Sequence, residues 1–126
     1  MLLECLRSLE REHDDAMEAV VVNNGDEIPE LDDARALAFV TVVPAGGNIG
    51  FAAACNLGAR HARGHALVFL NPDTVVAPGA IRELARSLDD PSVGLAMARL
   101  RLLRQPDVLN AAGGEIHLTG IAWAGD

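Results

Sequence analysis

The sequence has no lysine and no tyrosine. Its 10 cationic side chains are all arginines, scattered along the chain and outnumbered by 18 acids, which leaves a net charge of −8. Affinity for a polyphosphate backbone needs clustered cations, so nucleic acid is not expected as a partner. One Trp and three Phe are also too few to build a stacking platform for bases or sugar rings. What stays open is a small ligand, reached through a few placed polar groups.

Long apolar runs are missing too, since no uninterrupted stretch approaches the roughly 20 residues of a bilayer span. The opening MLLECLRSLEREHDD sets Glu4 and Arg7 where a secretion signal needs a continuous apolar core, and it has no basic leader. A cytoplasmic chain is expected. The only cysteines, Cys5 and Cys55, lie far apart without CxxC or Cys/His ligand spacing and read as buried free thiols. His13, His61, His65 and His117 show no ligand spacing either, and no serine sits in a GxSxG elbow. Zinc hydrolysis and serine nucleophilic catalysis therefore have little support. At 126 residues, half of them apolar, the whole chain reads as one domain.

Leu2, Leu3, Leu6 and Leu9 recur at helical spacing and predict an amphipathic helix over 2–12 whose role is packing. Val20, Val21 and Val22, closed by Asn-Asn-Gly-Asp, predict a short buried strand, and the acidic stretch 26–33 an exposed connection. FVTVVP, 39–44, is a second strand stopped by Pro44 and Gly46-Gly47. A helix follows from Asn48 to His61, with Asn48 as N-cap and Ile49, Ala53 and Leu57 inward; Gly50 and Gly58 weaken it unless close packing or a ligand requires them. ALVFL, 66–70, has the continuous apolar character of a strand covered on both faces. Pro78 suits a first helical position, and Ile81, Leu84, Ala85 and Leu88 carry the pattern to Asp89-Asp90-Pro91. Residues 93–103 resemble a strand or strand pair, and the tail is glycine-rich. This alternation predicts an α/β fold, a mostly parallel sheet with helices on both faces.

Ligands of such sheets bind at the carboxyl ends of the strands. Here those ends are Asn23-Asn24-Gly25-Asp26, Gly46-Gly47-Asn48 and Asn71-Pro72-Asp73. Asn23 and Asn24 either hydrogen-bond a base or ribose or merely form an Asn-Gly turn. Gly46 and Gly47 let backbone amides approach an anion, although no complete GxGxxG or GxxxxGK[ST] motif is present. Asp73 either caps the turn toward Pro78 or ligates a hard divalent cation that shares diphosphate oxygens. Arg60 and Arg63 either reach phosphate or are ordinary solvated helix charges.

Taken in order, AVVVNNGD, then GGNIGFAAACNLGARHARGHALVFLNPDTVVAPGAIRELARSLDDPSVG, then a looser AAGGEIHLTGIAW resemble the family 2 glycosyltransferases of the GT-A fold, in their rhamnosyltransferase-like branch. The resemblance implies transfer of a sugar from a nucleoside diphosphate sugar to an acceptor hydroxyl, with inversion, assisted by Mg²⁺ or Mn²⁺. By position it makes Asp73 the metal-binding acid. It also places Asn23, Asn24, Gly47, Asn48, Gly50, Asn56, Asn71 and Asp73 around the nucleotide sugar. Asn23 stands where the family usually has aspartate. Family members usually start with a strand before the first helix, and they carry an acidic general base in an acceptor half that no motif here matches. Glu115 and Asp126 lie outside such a motif and are not assigned as base. The chain thus reads as a partial GT-A fold carrying the donor-binding part. A glycan or lipid-linked acceptor is implied, with a role in cell-envelope polysaccharide at the inner face of the membrane. An exposed sheet edge predicts pairing with a second copy. The alternative is a non-catalytic nucleotide or nucleotide-sugar binding module, a degenerate remnant of the enzyme.

Overall fold

Cys5, Leu6, Ser8 and Leu9 fall on one side of a helical repeat while Glu4, Arg7 and Glu10 fall on the other. That segregation forms α1 (Leu2–Glu10) and buries its inner four residues. The computed structural model describes residues 1–13, 16–111, 114–116 and 122–124. It divides into two units, Met1–Pro78 and Gly79–Asp126.

In the first unit β1 (Ala19–Asn23) pairs in parallel with β2 (Val40–Pro44), in register from Ala19 opposite Val40 to Asn23 opposite Pro44. Valines dominate both strands because β-branched side chains pack well on a pleated surface. The stretch between them is more than an exposed connection. It holds α2 (Glu30–Arg35), which buries Leu31 and Ala34 and packs against α1 and β2. Two inward residues among acids are too few to register as a periodic pattern. On the outside, Arg35 pairs with Glu27 and Asp32.

The third helix, α3 (Phe51–His61), returns across β1. It begins three residues later than Asn48, because Gly50 sits at φ 84°, outside the helical region, and is itself the cap. This start turns Ala54 inward and leaves Ile49 and Ala53 exposed, with Leu57 half-buried. Gly58 packs closely on β1: an added Cβ would lie 3.1 Å from Cγ2 of Val22, a tight contact that the valine would have to relieve.

The ALVFL segment departs furthest from expectation. Among the described residues no strand pairs with it, and Leu67, Val68 and Phe69 are 48%, 46% and 62% exposed. A continuous apolar run is buried only where neighbouring strands and a covering layer exist, and the described parallel sheet ends at β1. For the same reason the β1 valines are half-buried rather than buried. The segment is secured at its ends instead. Glu18 accepts the backbone N–H and guanidinium of Arg63, and Asn71 accepts a hydrogen bond from α1.

The second unit opens with α4 (Ala80–Ser87), capped by Gly79 at φ 81°, so Pro78 lies outside the helix. Ile81, Leu84 and Leu88 are half-buried and Ala85 is exposed. Asp90 accepts hydrogen bonds from the N–H and hydroxyl of Ser92, closing the turn that follows the helix. β3 (Leu100–Leu102) pairs antiparallel with β4 (Gln105–Ala111), and β5 (Gly114–Ile116) with β6 (Ala122–Ala124). The chain is therefore a mixed α/β protein with a parallel sheet and helices, consistent with a partial GT-A fold. No helix among the described residues is long and apolar enough to cross a membrane.

Candidate functional site

Parallel pairing in register brings the carboxyl ends of β1 and β2 side by side. Ala45 N–H donates to the Asn23 carbonyl at 3.0 Å, and the chain then turns through Gly46 at φ 78° and Gly47 at φ 134°. An added Cβ would meet nothing within 4 Å at Gly46, Gly47 or Gly50. Their backbone angles, rather than crowding, require glycine there.

Across this turn two asparagines meet. Asn24 Oδ1 accepts the Ile49 N–H at 2.9 Å, and Asn24 Nδ2 donates to Asn48 Oδ1 at 3.4 Å. Asn48 Oδ1 also accepts the Gly50 N–H at 3.0 Å. Five of the expected residues, Asn23, Asn24, Gly47, Asn48 and Gly50, thus gather at one sheet end. Asn56 does not join them. It is exposed within α3, roughly 8 Å along the axis from the first residue of the helix, and hydrogen-bonds to none of them among the described residues.

Asn71 and Asp73 are exposed on a loop hung from α1. The Asn71 carbonyl accepts Thr74 N–H at 3.1 Å and the Cys5 thiol at 3.8 Å. Ser8, which sequence reasoning passed over, completes the attachment: its Oγ donates to the Cys5 carbonyl at 2.6 Å and accepts Val76 N–H at 2.9 Å. The available signal was a lone hydroxyl on an otherwise apolar helix face. Burial pushes the Cys5 thiol above its ordinary pKa, and the Asp73 carboxylate adds in the same direction. Among the described residues no hydrogen bond or ion pair joins Asn71 or Asp73 to the Asn24–Asn48 cluster.

No group of three His, Cys, Asp or Glu gathers among the described residues, which leaves Asp73 as a lone exposed carboxylate. That donor set is wrong for a zinc cage. A single carboxylate could serve only a hard ion such as Mg²⁺ or Mn²⁺, whose shell water and phosphate oxygens would have to complete. Three of the other candidates are engaged elsewhere. Arg63 is bound to Glu18 at the opposite end of β1, where its N–H and guanidinium hold the Glu18 carboxyl below the usual range. His61 Nδ1 contacts the Leu57 carbonyl at 2.9 Å, and His13 stacks on Phe39. Arg60 and His65 are exposed, while His117 and Asp126 lie outside the described residues.

Residues 1–111 match the family described as Glycosyl transferase family 2. The chain is also 32% identical over 119 residues to the "Uncharacterized protein MT1568" of Mycobacterium tuberculosis (strain CDC 1551 / Oshkosh). That similarity covers 90% of this chain and 36% of the mycobacterial protein, so the chain spans little more than a third of its relative. No solved structure matches. With the match running from α1 through β4 and including both strand ends and the Asn71-Pro72-Asp73 turn, the chain belongs to glycosyl transferase family 2.

Proposed function

We propose that this chain binds a nucleoside diphosphate sugar and forms the donor-binding part of a transferase that passes the sugar, with inversion, to an acceptor hydroxyl. The carrying observation is the joint between Asn24 and Asn48, which sets a turn of positive-φ glycines at the shared carboxyl end of two parallel strands. Such an end is where an open α/β sheet receives a phosphorylated ligand. Asp73 is the residue that would hold Mg²⁺ or Mn²⁺, and the ion would neutralise charge on the leaving diphosphate. We assign the rhamnosyltransferase-like branch on GGNIGFAAACNLGARH and place the acceptor, a glycan or lipid-linked sugar of the cell envelope, at the inner face of the membrane. A second copy is proposed to pair along the open edge of the sheet.

Calorimetry with nucleoside diphosphates, with and without Mn²⁺, tests the reading. Wild type is expected to bind in a Mn²⁺-dependent way, and Asp73→Ala to lose about tenfold or more in affinity, the scale of disturbing a metal site. Metal-dependent binding that survives the substitution overturns the role of Asp73. The alternative of a non-catalytic binding module is favoured by Asn23, an amide where an acid is usual in the family. Binding without turnover across candidate donors supports it, and sustained transfer by this chain alone excludes it.

A further inference from the structure

Resting on the donor-binding reading above, we propose that Asn24 is a positioning residue, whose carboxamide clasps the 48–50 turn to the end of β1 and acts on the donor through that turn. The reason lies in what else holds the turn. Ala45 N–H is bonded to the Asn23 carbonyl, and the next backbone-to-backbone anchor is Ala54 N–H on the Gly50 carbonyl. Between them stand Gly46, Gly47 and Gly50, all at positive φ. Glycines lose the most conformational freedom on ordering, so a turn built from three of them needs fixing from outside itself.

Asn24 supplies that fixing with both ends of its carboxamide. Oδ1 takes the Ile49 N–H while Nδ2 reaches Asn48 Oδ1, and the same Asn48 oxygen takes the Gly50 N–H. The three bonds run from Asn24, the residue that follows β1, to the cap of α3. Removing Asn24 breaks the two bonds that tie the turn to the β1 end and leaves only the Asn48–Gly50 bond, which lies within the turn itself. A turn ordered before the donor arrives spares binding the cost of ordering it. Asn24 therefore raises affinity without touching the nucleotide.

Amide exchange measured by NMR on the whole chain reads the clasp directly. Asn24→Ala is expected to speed exchange at Ile49 by roughly threefold to tenfold, the worth of one net hydrogen bond, and to leave the β1–β2 ladder unchanged. Asn24→Asp keeps the oxygen that accepts the Ile49 N–H but sets an acceptor against Asn48 Oδ1, and is expected to restore Ile49 protection only in part. Unchanged Ile49 exchange in Asn24→Ala overturns the clasp. Calorimetry with UDP, GDP and dTDP plus Mn²⁺ reads the consequence. Asn24→Ala and Asn48→Ala are each expected to weaken binding by similar factors for all three, and the double variant no more than the weaker single one. Losses that multiply, or that differ among the three bases, indicate direct contact with the nucleotide and overturn the positioning role. If wild type binds none of the three, the donor-binding reading has failed, and the exchange result still decides the clasp.

Discussion

Ser8 is 1% exposed on the buried face of α1, where an apolar side chain would ordinarily pack. Its hydroxyl answers two backbone groups at once, donating one turn back to the Cys5 carbonyl and accepting Val76 N–H from the loop beyond Asp73. Alanine would fit the space but orphan a buried donor. The expected loss is about 1–3 kcal/mol, the cost of leaving such a group unsatisfied. Urea unfolding of Ser8→Ala checks it, and faster exchange at the Val76 amide locates it. The measurement belongs near neutral pH. The Cys5 pKa is raised on folding, so its contribution is fully present below the unfolded value and is lost as pH rises through the folded one. At neutral pH the thiol stays protonated, so a drop in stability reports Ser8 alone.

At the scale of elements, α3 approaches β1 closely at Gly58. A methyl at residue 58 would lie 3.1 Å from Val22 Cγ2, and a β-branched valine in a strand has few rotamers with which to yield. Gly58→Ala therefore sets a helix-propensity gain of about 1 kcal/mol against overpacking of about 1–3 kcal/mol, and net destabilisation is expected. In a Val22→Ala background the clash is gone, and the same change should stabilise by about 1 kcal/mol. Thermal unfolding of the four-member cycle measures the reversal of sign. This contact also shows where sequence reading succeeds and stops. Gly58 stood out as an unexplained weakness inside a helix, and either packing or a ligand would have accounted for it. The valine runs and their Asn-Gly and Pro-x-Gly-Gly stops marked β1, β2 and their common end, because β-branching and turn chemistry are local properties. The start of α3 is not legible in the sequence, because residue type does not reveal the sign of φ at Gly50. The exposure of ALVFL is not legible in its own residues, because cover on a strand is supplied by other segments. Asn24 and Asn48 were visible as separate candidates, while their bond depends on the parallel register that brings two distant turns together.

For the molecule as a whole, open strand edges and net charge pull in opposite directions. Among the described residues β1 is bonded on one side only, by β2, and 66–70 has no ladder at all while presenting Leu67, Val68 and Phe69 to solvent. Unpaired strand groups and exposed apolar side chains are each a template for another chain. A two-fold pairing of identical edges satisfies both copies and closes the assembly. Against it stands a net charge of −8 on each chain, a repulsion that salt screens over about 10 Å at 0.1 M. If apolar contact and backbone pairing drive association, it must strengthen as salt is raised. Ion pairing between copies would make it weaken. Sedimentation of the wild type at increasing salt is therefore expected to shift from monomer toward dimer, while Val68→Lys, which puts a charge into the exposed apolar segment 66–70, stays monomeric throughout. A monomeric mass for wild type at every salt concentration would remove the edge as an interface.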